Sequence, residues 1–290
     1  SGVHKMGPLR FPESVSDPAA VVRKALAEKI NVLCITDHNS TAGAMKALEA
    51  AKSIPGIEVI MGEEVTTADG EVLALFINEE IPAGLSIEDT MDRIRSQDGL
   101  AVAPHPFSLH CPCLGERIND IGLDGIEVLN GGHIDDYANA RAQKEALSGK
   151  FARTGGSDSH YLPTVGMAYT TFEGGTAEEL RQAILGKRTD AGGRVIPMDK
   201  AIAWSMSVIA TSDKYILRSF LGLDKEPTDD PIIARVQTLK LGQKLGALTG
   251  SFVYLLPPIP FLMGIISQKL FRVQAEKQEN GKSSVLGRLG

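Results

Sequence analysis

The stretch Gly155-Gly156-Ser157-Asp158-Ser159-His160 places a carboxylate and an imidazole two residues apart. Side chains at positions i and i+2 of an extended segment point to the same side, so Asp158 and His160 can converge on one site. Carboxylates and imidazoles are both common ligands of divalent metal ions. The stretch therefore predicts one part of a metal site at a strand end, and further ligands are expected from other parts of the chain.

Three other segments share the same layout, in which a short apolar run leads into a polar cluster. The polar clusters are Asp37-His38-Asn39, Gly62-Glu63-Glu64 and Pro104-His105-Pro106. The carboxyl ends of parallel strands meet at one face of an α/β barrel, and enzymes of that type carry their chemistry there. The four segments together predict a barrel whose C-terminal face gathers Asp, His and Glu side chains.

Length, charge and cysteine usage limit the alternatives. The chain has 290 residues and a formal net charge of −6, which suits one large α/β domain with an appendage and gives no general basic surface for nucleic acid. The cysteines, Cys34, Cys111 and Cys113, are too few and too clustered for a disulfide framework. No signal-peptide pattern opens the sequence, so we expect a reducing cytoplasm. Cys111-Pro112-Cys113 has no second cysteine pair beside it, which favours a loop over a thiolate metal site.

Strand and helix patterns alternate from Asp17 to Gly186. Helix starts are predicted at Asp17-Pro18, at Ser86 and at Thr176, where capping residues precede apolar helical stripes. The Asp69-Gly70 turn predicts a hairpin that joins the strands at 57–61 and 71–77. The alternation is typical of a parallel α/β fold. Residues 1–16 lack periodicity and are predicted to form a loop.

The four polar clusters resemble the motifs of the polymerase and histidinol phosphatase (PHP) superfamily of metal-dependent phosphoesterases, in the family's order. The resemblance covers about residues 10 to 195, and the combination is highly specific. It implies an α/β fold of the distorted (β/α)7 TIM-like barrel type, with metals at the carboxyl ends of the strands. The matching segments are Ile35-Thr36-Asp37-His38-Asn39, Gly62-Glu63-Glu64-Val65, Ala103-Pro104-His105-Pro106 and Gly156-Ser157-Asp158-Ser159-His160.

The resemblance also implies the roles of individual residues. Two or three divalent ions are expected, with manganese, zinc or iron preferred and magnesium as a further candidate. Such ions hydrolyse phosphate esters through a metal-activated water, so no side-chain nucleophile is needed. Asp37 either orients its neighbour or binds metal itself, and Asp37, His38 and His105 are the expected catalytic residues. The implied metal ligands are His38, Glu64, His105, Asp158 and His160, with Glu64 as the bridging carboxylate.

One family motif, a His-x-His near the N-terminus, is missing from this sequence. We expect either that the motif lies upstream of Ser1, which is favoured, or that it has been lost. The chain as given lacks two of the family's metal ligands. The alternative function is therefore a degenerate PHP domain that binds a ligand or a partner without turnover.

Candidate substrate-binding residues follow the same strand ends. Asn130 and His133 come after a predicted strand at 125–130, although plain loop positions are the simpler interpretation. Arg153 is a candidate to hold a substrate phosphate, as are Arg117 and Arg141, because guanidinium groups bind phosphate bidentately. The substrate is expected to be a small phosphorylated metabolite, a nucleotide or the end of an oligonucleotide. Glu63 is expected to be solvated.

The composition changes after Pro197, which divides the chain into a PHP-type domain (1–197), a helical apolar appendage (198–273) and a polar tail (274–290) predicted to be disordered. Residues 245–268 carry no charge and are long enough for a bilayer, but Pro257-Pro258-Ile259-Pro260 interrupts them. Three alternatives stay open: a helical hairpin packed on the barrel, a homo-oligomer contact, or a membrane-surface contact with peripheral localisation. The basic residues that flank the segment and suit anionic headgroups are Lys240, Lys244, Lys269 and Arg272.

Overall fold

The structure is a computed structural model that describes residues 3–6, 9–12, 14–133, 136–228 and 231–286. Strands and helices alternate through its first two thirds, and helices alone form the rest. In chain order these elements are β1 (Val3–Met6), β2 (Leu9–Pro12), α1 (Pro18–Ala27), β3 (Val32–Ile35), α2 (Ala42–Ala51), β4 (Glu58–Thr66), β5 (Glu71–Leu75), α3 (Ile87–Ser96), β6 (Leu100–Ala103), β7 (Gly125–Asn130), α4 (Asp136–Ala146), β8 (Ala152–Gly156), β9 (Ala168–Thr171), α5 (Ala177–Leu185), β10 (Asp190–Gly193), α6 (Met198–Phe220), α7 (Pro231–Thr238), α8 (Leu241–Leu255) and α9 (Ile259–Leu286).

Six of these strands form one curled sheet in the order β3-β4-β5-β6-β7-β8. The pairs β3–β4, β6–β7 and β7–β8 are parallel, whereas β5 runs antiparallel to both neighbours. The predicted α/β fold of barrel type is confirmed. Within the described residues the main sheet has six strands and forms a half-barrel instead of a closed ring of seven. All four residues of the edge strand β3 are only half-buried.

Apolar side chains on the faces of this sheet hold the strand ends in place. Helix α3 presents Ile87, Met91 and Ile94 to the core at helical spacing, and these side chains pack among residues such as Ile126 of β7. A second cluster, around Val22 of α1, covers β3 and the start of β4. Burying side chains of this size contributes about 2 kcal/mol each, so the strands are rigid supports for the polar residues at their ends.

The predicted helix starts and the predicted hairpin are confirmed. Asp17 Oδ2 accepts a hydrogen bond from Ala20 N at 2.9 Å, and Ser86 Oγ accepts one from Asp89 N at 3.1 Å. Thr176 forms a complete capping box with a glutamate three residues later. Strands β4 and β5 pair around the predicted Asp69-Gly70 turn. Local capping and turn chemistry therefore marks these boundaries, and long-range bonds from Ile87 N to Asp69 and from Ala177 N to Glu58 reinforce two of them.

Three parts of the main domain differ from the sequence-based predictions. Strands β1 and β2 form an antiparallel hairpin where a loop was predicted. Strand β4 continues to Thr66, because its first half pairs with β3 and its second half pairs with β5. Glu63 and Glu64 consequently lie inside a strand and point to opposite faces. Glu63 is 0% exposed and accepts a hydrogen bond from Ile81 N at 2.8 Å, so the prediction that it is solvated is wrong.

The C-terminal region is helical, as predicted, and α6, α7 and α8 share a small apolar core built on Ile216, Val236 and Ala247. The chain bends between α8 and α9 at the predicted proline break. Helix α9 extends to Leu286, so residues 274–286 are helical where disorder was predicted. Within the described ranges no single helix is long and apolar enough to cross a membrane. Leu241–Leu255 and Ile259–Lys277 meet that criterion only as a pair bent by 85°.

Candidate metal centre

The backbone locks the end of β3 against the middle of β4. His38 forms a parallel bridge with Glu64 beyond the last regular residue of β3. Glu64 N donates to Asp37 O at 3.1 Å, and Asn39 N donates to Glu64 O at 3.0 Å. The Asn39 side chain adds a pair of bonds to Thr66, with its Oδ1 accepting from Thr66 N at 2.8 Å. The His38 imidazole and the Glu64 carboxylate are therefore held side by side.

Two carboxylates lie between two imidazoles at the centre of the site. Glu64 has one oxygen 3.6 Å from His38 Nδ1 and the other 3.1 Å from His105 Nε2. Glu71 has the same arrangement, with distances of 3.6 Å to His38 Nδ1 and 3.8 Å to His105 Nε2. Each carboxylate thus faces both imidazoles, which is the arrangement that a bridging ligand requires.

Glu71 is a site residue that the sequence analysis missed, although a signal for it existed. Side chains alternate along a strand, so Glu64 and Thr66 share one face of β4. Thr66 is the direct partner of Glu71 in the β4–β5 hairpin. The predicted hairpin, taken with its register, places the Glu71 side chain on the face of Glu64.

Asp158 and His160 complete the site from the end of β8. His160 Nδ1 lies 3.5 Å from Asp158 Oδ1 and 3.0 Å from the Asp158 carbonyl oxygen. The His160 ring is 6.1 Å from the His38 ring, measured between centroids. The structure therefore brings together all five predicted metal ligands, and Asp37 lines the same cavity. Their roles as ligands and catalytic residues stay predictions.

Asn130 and Glu127 hold this arrangement from β7. Asn130 Nδ2 donates to Asp158 Oδ2 at 3.1 Å and to Glu127 Oε2 at 2.8 Å. Glu127 Oε2 also accepts from His105 N at 2.9 Å. Asn130 Oδ1 accepts from the backbone of residues 132 and 133. Asn130 therefore positions Asp158 and also lines the cavity, and its predicted contact with substrate stays a prediction. Glu127 is a second residue that the sequence analysis missed.

Three residues at these strand ends adopt a backbone conformation that favours glycine. The φ angles are 51° for Asn39, 28° for His105 and 44° for Asp158. Non-glycine residues pay about 1–3 kcal/mol for such conformations and keep them only where the surroundings impose them. The strain falls at the ends of three strands around one point, as expected for a functional site.

Burial and mutual repulsion of the carboxylates shift the pKa values of several side chains in the site. Burial, and next the charge of Glu64, raise the pKa of Glu71 to about 7. Burial raises the pKa of Glu127 to about 8. Burial alone would lower the pKa of His105, but its hydrogen bond and charge interaction with Glu64 outweigh that effect and raise the pKa to about 9. Burial acts to raise the pKa of Asp158, yet His160 and His105 lower it to about 2. The metal-free cluster therefore holds extra protons that bound cations would displace.

The donor set fits divalent ions. Ligand atoms of His38, Glu64 and Glu71 lie within 4.8 Å of one another. Imidazole nitrogens combined with carboxylate oxygens suit manganese, zinc and iron. His38 and His105 provide nitrogen donors on opposite sides of the Glu64 and Glu71 carboxylates.

A cavity of about 310 Å³ opens onto these side chains, and the described residues that line it include no lysine or arginine. The structure does not bring the three predicted phosphate-binding arginines to it. Arg153 pairs with Asp190 at 2.8 Å, Arg141 pairs with Glu116 at 2.8 Å, and Arg117 bonds Asp69 and Glu88. Arg153 thus lies outside the cavity lining, and its contact with substrate stays a prediction.

His133 also lies outside the lining of the cavity. It is 1% exposed and stacks on His105 with 4.8 Å between ring centroids. Its Nε2 is 2.8 Å from Ser108 Oγ. His133 therefore packs against His105 and not against the cavity, and its predicted role as a substrate contact stays a prediction.

An α/β half-barrel with imidazoles and carboxylates gathered at its strand ends is the class of fold and site found in metal-dependent hydrolases. Family comparison agrees: the PHP domain model matches residues 8–109 and the PHP-associated model matches residues 136–189. Uncharacterized protein MJ1587 of Methanocaldococcus jannaschii is 45% identical over 147 residues, which are 51% of this chain and 85% of that protein. The chain belongs to the PHP family.

Two further similarities concern activity and fold. A 5'-3' exoribonuclease of Haemophilus influenzae is 42% identical over 55 residues, 19% of this chain and 20% of that enzyme. The crystal structure of PsfC from Pseudomonas syringae PB-5123 superimposes with a TM-score of 0.53 at 19% identity, over 69% of this chain and 94% of that one. The second similarity supports the fold. Family membership supports metal-dependent phosphoester hydrolysis in general terms.

Proposed function

We propose that this protein hydrolyses a phosphate ester with two or three divalent ions, of which manganese, zinc and iron fit the donors best. The proposal rests on one observation: Glu64 and Glu71 each place one carboxylate oxygen near His38 and the other near His105. Two buried carboxylates shared between two imidazoles have no structural purpose that apolar packing would not serve better. They are well explained as ligands of clustered cations.

The surroundings of the cavity support the same assignment. A phosphate ester brings negative charge, and the described lining offers no lysine or arginine to balance it. Divalent ions held in such a site supply that positive charge and lower the pKa of bound water towards neutrality. The chain's own part is to hold the ligands: His105 is fixed through Glu127, and Asp158 is fixed through Asn130.

The substrate we propose is a small phosphorylated metabolite, a nucleotide or the end of an oligonucleotide. A cavity of about 310 Å³ is at the small end of ligand pockets and suits a phosphate with one attached group. The similarity to a 5'-3' exoribonuclease supports the oligonucleotide end within this range.

The test is hydrolysis of an aryl phosphate and of a short 5'-phosphorylated oligonucleotide with manganese added. Glu64→Gln removes a bridging charge, and Glu63→Gln is its matched control, because Glu63 is the neighbouring carboxylate on the opposite face of β4. We expect turnover by the wild type and by Glu63→Gln, with a loss of at least about 100-fold in Glu64→Gln.

Equal loss in both variants would show that the effect is structural and would count against the proposal. Metal binding by the wild type without turnover of either substrate would instead support the alternative, a degenerate PHP domain that acts as a ligand-binding module.

A further inference from the structure

A second group of potential metal ligands lies next to the carboxylate centre, which is the cluster of His38, Glu64, Glu71, His105, Asp158 and His160. His110 and Cys111 belong to the loop after β6, and His133 follows β7. Their ligand atoms lie within 4.8 Å of one another. The rings of His110 and His133 stack with 4.5 Å between centroids. Two imidazoles and one thiol from two separate loops therefore meet at one point.

The buried imidazole of this group has an unused ring nitrogen. His133 Nε2 lies 2.8 Å from Ser108 Oγ, whereas its Nδ1 is buried without a hydrogen-bond partner among the described residues. An unsatisfied buried nitrogen costs about 1–3 kcal/mol. A metal at Nδ1 places the ring's proton on Nε2, where the Ser108 hydroxyl is the hydrogen-bond partner.

Ser108 ties the ring to the loop that carries the thiol. Its Oγ accepts a hydrogen bond from Cys111 N at 2.9 Å, so one side chain orients both His133 and Cys111. Cys113 differs from Cys111 although it is two residues away: its Sγ contacts the Ser108 carbonyl oxygen at 3.4 Å, and it is not part of the group. Of the two cysteines in this loop, only Cys111 is therefore placed to bind a metal together with His110 and His133.

We propose that His110, Cys111 and His133 form a second metal site, suited to zinc or another borderline ion. Three protein ligands of this kind leave a fourth position for water or substrate, as in catalytic zinc sites. The carboxylate centre has oxygen and nitrogen donors, whereas this group adds a sulfur donor, so the two sites differ in their chemistry. On binding, the Cys111 thiol loses its proton to water and the sulfur takes the metal in its place.

Cobalt(II) tests the site, because a cobalt–thiolate bond gives a charge-transfer absorption that carboxylate and imidazole ligands do not give. The chelator-treated full chain is titrated with cobalt alone, and folding of each variant is checked by circular dichroism. We expect the band in the wild type and in the matched control Cys113→Ser, and no band in Cys111→Ser. His110 is exposed, so its replacement should have little effect on folding. In His110→Ala, the cobalt concentration needed to reach half of the full charge-transfer absorption should rise at least tenfold.

Absence of the band from the wild type would overturn the proposal. A band that survives in Cys111→Ser and disappears in Cys113→Ser would overturn it as well. Phosphoesterase activity is not part of the readout, so this test and that of the proposed function can fail independently.

An independent inference concerns the apolar surface of α8 and α9. Twelve large apolar side chains there are between 42% and 67% exposed, which is far more than single surface residues would explain. They are Leu241, Leu245, Phe252, Val253, Leu256, Phe261, Leu262, Met263, Ile265, Ile266, Leu270 and Val273.

The charges around this surface have one sign. From Pro231 to Ala275 the sequence has no aspartate or glutamate, whereas Lys240 and Lys244 precede the apolar run and Lys269 and Arg272 follow it. Basic residues beside an exposed apolar face are typical of segments that lie in the interface of an anionic membrane. We infer that α8 and the first half of α9 contact a membrane surface rich in anionic lipid.

Flotation of the full chain with vesicles tests this inference. We expect the protein to float with vesicles that contain phosphatidylglycerol and to stay below vesicles of phosphatidylcholine alone. The paired substitutions Phe252→Asp and Phe261→Asp should reduce the floating fraction at least tenfold. Leu147→Asp, at an exposed leucine just beyond α4, is the control and should float as the wild type does.

A wild type that stays below the anionic vesicles would overturn the inference. A dimer that forms without vesicles and is broken by the paired substitutions would overturn it too, in favour of a second copy of the chain on this surface.

Discussion

Replacing Glu71 by glutamine should change the stability of the protein in opposite directions without and with metal. In the metal-free protein, burial and the charge of Glu64 raise the Glu71 pKa from 4.5 to about 7. The folded state then binds a proton that the unfolded state has lost, so stability falls as pH rises from 4.5 to about 7 and is constant above that. The full rise corresponds to roughly 3 kcal/mol, as an upper bound.

Glutamine keeps the size of the side chain and cannot ionise. After treatment with a chelator at pH 8, Glu71→Gln should therefore be more stable than the wild type by up to about 3 kcal/mol, or about 5–10 °C in Tm for a domain of this size. Below pH 4.5 the difference should vanish, since Glu71 is then protonated in both states. Added manganese should raise the Tm of the wild type and raise that of the variant much less, because one of the two bridging carboxylates is gone.

The assay is thermal unfolding followed by calorimetry at pH 4 and pH 8, first with chelator and then with manganese. Exposed Glu173, replaced by glutamine, is the control and should leave both transitions unchanged. A variant that is less stable than the wild type without metal at pH 8, or that gains as much from manganese, would refute the assignment of Glu71 to the metal centre.

Three structural predictions follow from the packing around the site. Asn130→Ala removes side-chain bonds to Asp158 and Glu127 and should cost about 2–4 kcal/mol in chemical denaturation; a cost near zero would contradict its positioning role. Ile126→Ala, at a fully buried position of β7, should cost about 2–5 kcal/mol in the same assay. Gly193→Ala should lower the Tm measurably, because its φ is 98° and a Cβ would lie 2.2 Å from a carbonyl oxygen. Gly84 shares the left-handed backbone, with φ 81°, but a Cβ there meets open space, so Gly84→Ala should cost less and an equal loss would contradict the steric argument.

Much of the fold and five side chains of the site could be predicted because the signals are local. Capping residues mark the starts of α1, α3 and α5, and an apolar run marks each strand that ends in a polar cluster. Asp158 and His160 could be placed together because two residues of extended chain fix their relative direction. The resemblance then supplied the order in which the clusters meet.

What could not be predicted depends on pairing between distant segments. The second half of β4 carries two glutamates in sequence, and only its antiparallel partner β5 makes it a strand. Glu127 is an acidic residue inside an apolar run. Its role as the hydrogen-bond acceptor for His105 N depends on the position of β7 beside the loop that carries His105, which the sequence does not show. Arg153 and Arg141 were proposed as phosphate ligands because sequence alone does not show that they form ion pairs with Asp190 and Glu116.

The central claim, that Glu64 and its neighbours hold clustered divalent ions, is tested most directly by the metal content of the purified chain. Elemental mass spectrometry after equilibration with manganese should give two or more ions per chain in the wild type and in Glu63→Gln, and at least one ion per chain fewer in Glu64→Gln. A wild type that holds no more metal than Glu64→Gln would contradict the claim.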